Sequence, residues 1–175
     1  MAPDARQHQG GTALTNPARS AACSLAMSDD DALDFFNGLS GHLDVKLTEA
    51  AKPVSEHVMN LQASPTARLD SIGLRLSVYE PDNDPKFRPL TDAEWSRVVL
   101  HAATIRMRGE TEKIVEHAAP NGASFTVREL AAAVEETERQ GRGDSQWLGG
   151  IDVHHVFFEG IEEDVDGVWT ICWGS

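Results

Sequence analysis

The sequence is poor in the residues that stabilise small secreted proteins or allow a chain to cross a membrane. Its 175 residues include two cysteines, Cys23 and Cys172, which is too few for a disulfide framework. No stretch approaches the roughly 18 consecutive apolar residues of a membrane-spanning helix. The first 26 residues also lack the apolar segment of a secretory signal. These absences predict a cytoplasmic protein without a membrane span.

Basic residues are scarce relative to acidic ones. The chain has 15 Lys and Arg against 28 Asp and Glu, a formal net charge of −13. Because cations that neutralise phosphates supply most nucleic-acid affinity, we expect no direct binding to DNA or RNA. The acidic charge is compatible with docking to a basic protein, with DNA mimicry, or simply with solubility. It is concentrated in residues 126–175, which carry 11 acidic and three basic residues.

Two regions differ in composition. Residues 1–26 are rich in Ala, Gly, Pro, Ser and Thr and have no hydrophobic period, which predicts a flexible N-terminal tail. Ser28 followed by Asp29–Asp31 is typical of a helix start, and apolar residues follow at helical spacing. Because 41% of the chain is hydrophobic, it can form a core. Residues 27–175 are therefore predicted to be a single α+β domain.

The middle of the chain carries helix and strand signals. Apolar residues at helical spacing over 42–61 predict one helix, or two if Pro53 interrupts it. Alternating apolar residues over 72–79 predict a strand, and the acidic, proline-flanked residues 80–85 predict a loop. Two capping boxes predict further helices, one starting after Thr91 and ending near Arg108, the other starting after Thr126 and ending near Gly141.

The C-terminal segment has the composition of a β-hairpin. Residues 152–161 and 168–173 are rich in β-branched and aromatic residues, and Asp166-Gly167 between them favours a tight turn. The expected register places the side chains of Ile161 and Cys172 on one face of the hairpin and that of Ile171 on the other face. Both faces are largely apolar, which predicts a hairpin covered on both sides. The fold expected overall is a small antiparallel sheet, including this hairpin, packed against several helices.

One group of residues in this hairpin could bind a metal ion. Asp152 and His154 have a spacing that places a carboxylate and an imidazole on one side of a strand, and His155 and Glu159 share the other side. These four residues are the candidates for a metal-dependent hydrolase, with Asp152, His154 and His155 as ligands. Signatures such as H-E-x-x-H are absent, so a structural pair of histidines is the alternative.

Cys172 is a second candidate for chemistry, with His155 as its base and Glu159 as the group that orients the base. Its position between two apolar strand residues favours a packing role instead, because burial keeps a thiol protonated. In the turn, Glu162, Asp164 and Asp166 match the start of a calcium loop. The match fails where a bidentate glutamate is required, so an exposed acidic turn is expected.

The function that the sequence favours is a non-enzymatic, acidic protein-binding module of the inhibitor, immunity, adaptor or accessory-subunit type. It would dock a basic surface on another protein, without a cofactor. The expected contact residues belong to the C-terminal region: Trp147, Glu162, Glu163, Asp164 and Asp166. The alternative is the metal-dependent hydrolase.

Overall fold

The computed structural model describes residues 29–48, 68–144 and 153–175. In chain order its elements are α1 (Asp29–Asn37), β1 (Ser40–Leu47), β2 (Leu69–Tyr79), β3 (Phe87–Pro89), α2 (Asp92–Trp95), β4 (Val98–Leu100), β5 (Thr104–Arg108), β6 (Ile114–Ala118), β7 (Phe125–Thr126), α3 (Val127–Gly143), β8 (Phe157–Glu163) and β9 (Val168–Gly174). The predicted tail, residues 1–26, lies outside the described residues. Within them, no helix is long and apolar enough to cross a bilayer.

The main sheet has seven strands in the order β3-β2-β1-β8-β9-β5-β6, and β4 pairs with β7 in a small second sheet. Neighbouring strands are antiparallel except β5 and β9, which are parallel. The predicted small antiparallel sheet with several helices is therefore wrong. The described chain forms a large mixed sheet, and α3 is its one helix longer than nine residues.

Two predicted helices are strands for much of their length. The range 42–61 begins with β1, whose alternation of Leu43 and Val45 with polar residues suits a strand as well as a helix, and residues 49–67 lie outside the described part. The helix predicted over 92–108 is confirmed only for its first turn, α2. The β-branched Val98 and Val99 follow at once and favour extended backbone. The remainder of that range forms β4 and β5.

The helix after Thr126 and the strand over 72–79 are confirmed as α3 and β2. The apolar stripe of α3 packs on one face of the sheet, against residues such as Leu74 and Met107. Its members are at most 4% exposed: Val127, Leu130, Ala131 and Val134. Helix α1 contributes Phe36 to the same core, where its ring meets that of Phe158 edge-on. Both helices therefore cover the same face, which we call the core face.

The C-terminal hairpin is confirmed as β8 and β9, but its register is not the expected one. A bulge between Phe158 and Gly160 shifts the pairing, so Ile161 lies opposite Ile171 and both enter the core. Gly160 has φ +121°, and Asn37 pins the bulge by accepting from the Ile161 N–H at 2.9 Å and donating to the Ile161 carbonyl at 3.1 Å. The bulge thus reverses the faces predicted for the residues that follow it.

The prediction that the hairpin is covered on both sides is also wrong for the described residues. Opposite the core face, Phe157 and Glu162 are exposed, and Thr170 and Cys172 are only half-buried. Arg108 on β5 contacts Thr170 from the neighbouring strand at 3.1 Å. We call this side the open face. The bulge directs Ile161 to the core, so that apart from Phe157 the open face carries mainly polar groups.

Candidate functional site

A buried ion pair on α3 organises the region around the predicted histidine site. Glu138 and Arg142 are one turn apart, both are 0% exposed, and Arg142 Nε donates to Glu138 Oε2 at 2.6 Å. Glu138 Oε1 also accepts from Trp173 Nε1 at 2.8 Å and from the Glu110 backbone N–H at 3.1 Å. Burying a charge costs free energy unless the charge has partners. The hydrogen bonds made by both side chains therefore allow the ion pair to be buried.

Arg142 fixes the chain that leads into β8. Its two terminal nitrogens donate to the carbonyls of His154 and His155 at 2.6 and 2.7 Å, and its guanidinium lies over the Trp173 ring, 5.3 Å from the centroid. Gly109 gives the network its space, since a Cβ there would overlap the Glu138 carboxylate. The pair therefore joins α3, the β5–β6 loop, the segment before β8 and the last strand.

His155 occupies an unusual backbone conformation in this segment. Its φ is +52°, in the left-handed region that non-glycine residues rarely adopt. Its ring is half exposed, with Nδ1 2.8 Å from Glu110 Oε1. The two hydrogen bonds from Arg142 hold the peptide units on either side of this residue. The buried Arg142 side chain therefore holds His155 in this strained backbone conformation.

The described residues bring together only part of the predicted metal site. Asp152 lies outside them, and His154 and His155 are both exposed. No group of three or more His, Cys, Asp or Glu side chains within the described ranges is arranged to hold a metal ion. Glu159 sits in the bulge, beside Gly174, while the ring of His155 bonds to Glu110 instead.

Cys172 lies on the open face, in surroundings that do not activate a thiol. Burial raises the pKa of the Cys172 thiol, and the carboxylates of Glu162 and Glu159 raise it further. Its Sγ donates to the Thr170 carbonyl at 3.9 Å. Because a raised pKa keeps a thiol protonated and unreactive, these surroundings suit a packing role.

The turn of the C-terminal hairpin is held by one of the predicted contact residues. Asp164 Oδ1 accepts from the backbone N–H of Asp166 and of Val168, each at 2.9 Å, and its Oδ2 is 3.2 Å from Arg108. The Val168 hydrogen bond, followed by that from Asp166 and the charge of Arg108, holds the pKa of Asp164 below its usual range. Asp164 therefore orders the turn, and both of its carboxylate oxygens are already bound to residues of this chain.

The other side chains of this turn are available to solvent. Glu162, Glu163 and Asp166 are exposed, and their carboxylates make no hydrogen bond or ion pair with any residue that the structure describes. Between them Val165 is fully exposed. We call residues 162–166 the acidic tip. The sequence predicted its acidic residues but not Val165 as its apolar centre, and Trp147 lies outside the described residues.

A cavity of about 390 Å³ lies beside the acidic tip, between the hairpin and the residues before β5. Half-buried Trp169 forms part of its wall, and Glu163 and Glu116 contribute carboxylates that have no ion-pair partner among the described residues. Arg106 and His101 also line it. The cavity combines an aromatic surface with charges of both signs.

Sequence reasoning missed the Glu138–Arg142 pair, although a signal was present. The apolar stripe of α3 continues at helical spacing onto these two positions, so both were due to be buried. Opposite charges four residues apart on a buried helix face predict an internal ion pair.

Comparison with known proteins found no matching family model, no matching curated protein and no matching solved structure.

Proposed function

We propose that the protein is an acidic protein-binding module that docks a basic surface of another protein through the acidic tip. The observation that carries this proposal is that Glu162, Glu163 and Asp166 are exposed and lie within three residues of fully exposed Val165. Carboxylates of this kind steer a basic partner during approach, and an exposed apolar residue in the same turn gains free energy when it is buried.

The order of the turn supports the same proposal. Binding by a mobile loop loses free energy because the loop must become fixed, and a turn held in advance avoids that loss. Asp164 supplies this order through its two backbone hydrogen bonds and its contact with Arg108. The remaining carboxylates can then contact a partner without rearrangement.

The cavity beside the tip offers a place for a basic side chain. A Lys or Arg of the partner would lie against the Trp169 ring and within reach of Glu163 and Glu116. The buried Glu138–Arg142 pair accounts for the hydrogen bonds of the His154 and His155 carbonyls. We therefore propose no catalytic function for this segment.

A charge-neutralising variant tests the proposal. We expect the triple variant Glu162→Gln, Glu163→Gln and Asp166→Asn to lose a partner that the unmodified protein captures from a lysate of its source. The matched control is Asp82→Asn, Asp84→Asn and Asp92→Asn, which removes the same charge from exposed positions on the β2–β3 loop and α2. Quantitative mass spectrometry of the captured proteins compares the three baits.

The kinetics of the tip-dependent partner complete the test. Electrostatic steering predicts an association rate that falls at least about tenfold between 20 and 500 mM NaCl, while the dissociation rate changes little. Capture that does not distinguish the two triple variants, or an association rate independent of salt, would contradict the proposal.

A further inference from the structure

Strand β6 forms one edge of the sheet, and its outward backbone groups have no partner in the described part of the chain. The Ala119 N–H donates to the Ala103 carbonyl at 2.8 Å, which identifies this position as a hydrogen-bonded pair of the β5–β6 ladder. Because such pairs alternate along antiparallel strands, Val115 and His117 bond to β5. The N–H and C=O groups of Ile114, Glu116 and Ala118 therefore point away from the sheet.

The opposite edge of the sheet is partly covered. Strand β3 has three residues, and Pro89 among them has no N–H to offer. Below β3, the edge of β2 meets α3, where Glu135 Oε1 accepts from the Leu74 N–H at 2.7 Å. The two edges thus differ in degree: α3 lies against the β2 edge and covers the Leu74 N–H, whereas the outward donors and acceptors of β6 have no partner among the described residues.

We propose that the β6 edge binds an extended, basic segment of a partner protein, which adds as an eighth antiparallel strand. This inference goes beyond the proposed function, because it uses the outward backbone of β6, two strands away from β9 in the sheet order, although the Glu116 side chain also lines the cavity beside the acidic tip. Each of Ile114, Glu116 and Ala118 would donate one hydrogen bond and accept one.

Charge determines which kind of strand fits. Glu116 is exposed at the centre of β6 and has no hydrogen bond or ion pair with any described residue. A second copy of this chain, paired in full antiparallel overlap, would place its own Glu116 directly opposite, and like charges at that position are destabilising. A Lys or Arg opposite Glu116 is favourable instead.

Ile114 adds a second element of recognition. Its side chain is 42% exposed and lies on the same face of β6 as Glu116. In an antiparallel addition, the residue opposite Ile114 is two positions after the residue opposite Glu116. The segment recognised therefore has a cationic residue, any residue, and then an apolar β-branched residue.

A defined peptide tests this geometry. The probe is the acetylated and amidated peptide Thr-Thr-Lys-Thr-Val-Thr-Thr, and its matched control has N-methyl groups on the backbone of Lys and Val. In the free protein, we expect rapid amide exchange at Ile114, Glu116 and Ala118 and slow exchange at Val115 and His117. The probe should slow the first three amides by at least about fivefold, and the methylated peptide should leave them unchanged.

Two substitutions of Glu116 separate backbone pairing from the charge of its side chain. Glu116→Gln keeps the N–H and removes only the charge, so the loss of peptide affinity in Glu116→Pro should exceed that in Glu116→Gln. Glu116→Pro removes an N–H that the described sheet does not use, so we expect a cooperative thermal transition close to that of the unmodified protein. Peptide affinity, measured by calorimetry, should fall at least about fivefold. His117→Pro removes a ladder hydrogen bond and should lower the unfolding temperature, which shows that the assay detects damage to the sheet.

Each remaining outcome decides the question. Slow exchange at Glu116 in the free protein would mean that the edge is already covered, and equal binding of both peptides would exclude strand addition. Either result overturns the inference. The double variant Glu162→Gln and Asp166→Asn, which leaves intact the Glu163 carboxylate beside Glu116, should keep its peptide affinity within about twofold, so a failure of the tip proposal and a failure of this one give different results.

Discussion

Glu138 and Arg142 occupy positions at which α3 would otherwise continue its apolar stripe. Residues of similar volume without charge would fill the same space, and buried ion pairs often contribute little net stability. This pair does more than fill space, because Arg142 donates to the carbonyls of His154 and His155 and Glu138 accepts from Trp173. The pair therefore fixes how the segment before β8 and the last strand meet α3.

Removing one charge of this pair should be far more costly than removing an exposed charge on the same helix. We expect Glu138→Gln to lower the free energy of unfolding by about 3–5 kcal/mol, because Arg142 stays buried without a countercharge. Glu136→Gln is the control, since Glu136 pairs with Arg139 at the surface, and it should cost at most about 0.5 kcal/mol. Urea unfolding at neutral pH measures both. Equal effects of the two variants would mean that the buried pair is not needed.

The two capping boxes show how far an element can be predicted from local sequence. Thr91 with Glu94 and Thr126 with Glu129 both form the expected reciprocal hydrogen bonds. The second box starts a helix of 17 residues and the first a single turn. The difference lies after the box, where α3 continues with alanine and glutamate, whereas α2 is followed by β-branched residues that pair with β7. A cap defines where a helix starts but not its length.

Arg88 connects β3 with α2 and makes the stability of this junction depend on pH. It donates to Glu80 at 2.7 Å and to both oxygens of Glu94 at 2.8 and 2.9 Å. The Arg88 hydrogen bonds, with a further one from the Thr91 N–H, lower the pKa of Glu94 from 4.5 to about 2. Because the folded state binds this proton less tightly than the unfolded chain, the contribution of Glu94 to stability is complete above pH 4.5 and is lost as the pH falls towards 2.

Glu94→Gln should remove this part of the acid sensitivity. Glutamine still serves in a capping box, so we expect the variant to keep α2 but to lose about 1 kcal/mol at pH 6 and less at pH 2.5. Urea midpoints at several pH values measure the difference from the unmodified protein. Glu112→Gln is the control, since its side chain is 96% exposed, and its curve should run parallel to that of the unmodified protein. A constant offset for Glu94→Gln at all pH values would contradict the assignment.

The order of strands in the whole molecule is the least predictable feature from sequence. The alternation in β2 and the composition of the hairpin predict strands, but no local pattern says that β9 pairs with β5 in parallel or that β1 pairs with β8. Such contacts depend on residues far apart in the chain. The bulge at Phe158–Gly160 depends on Asn37 in the same way, which is why the predicted face of Ile161 was wrong. The acidic tip could be foreseen because its residues are contiguous.

The strand order makes the end of the chain central to the described sheet. Strand β9 lies between β8 and β5, so it joins the strands β3-β2-β1-β8 to the pair β5-β6. It also supplies Ile171 to the core and Trp173 to Glu138. We expect removal of residues 168–175 to abolish cooperative thermal unfolding and the near-ultraviolet circular dichroism of the tryptophans. Without β9, strands β8 and β5 each lose the strand to which they are hydrogen-bonded, and the two halves of the sheet are no longer joined. Removal of Ser175 alone should change neither measurement. A truncated chain that still unfolds cooperatively would show that the two halves fold independently, contrary to the order of the sheet.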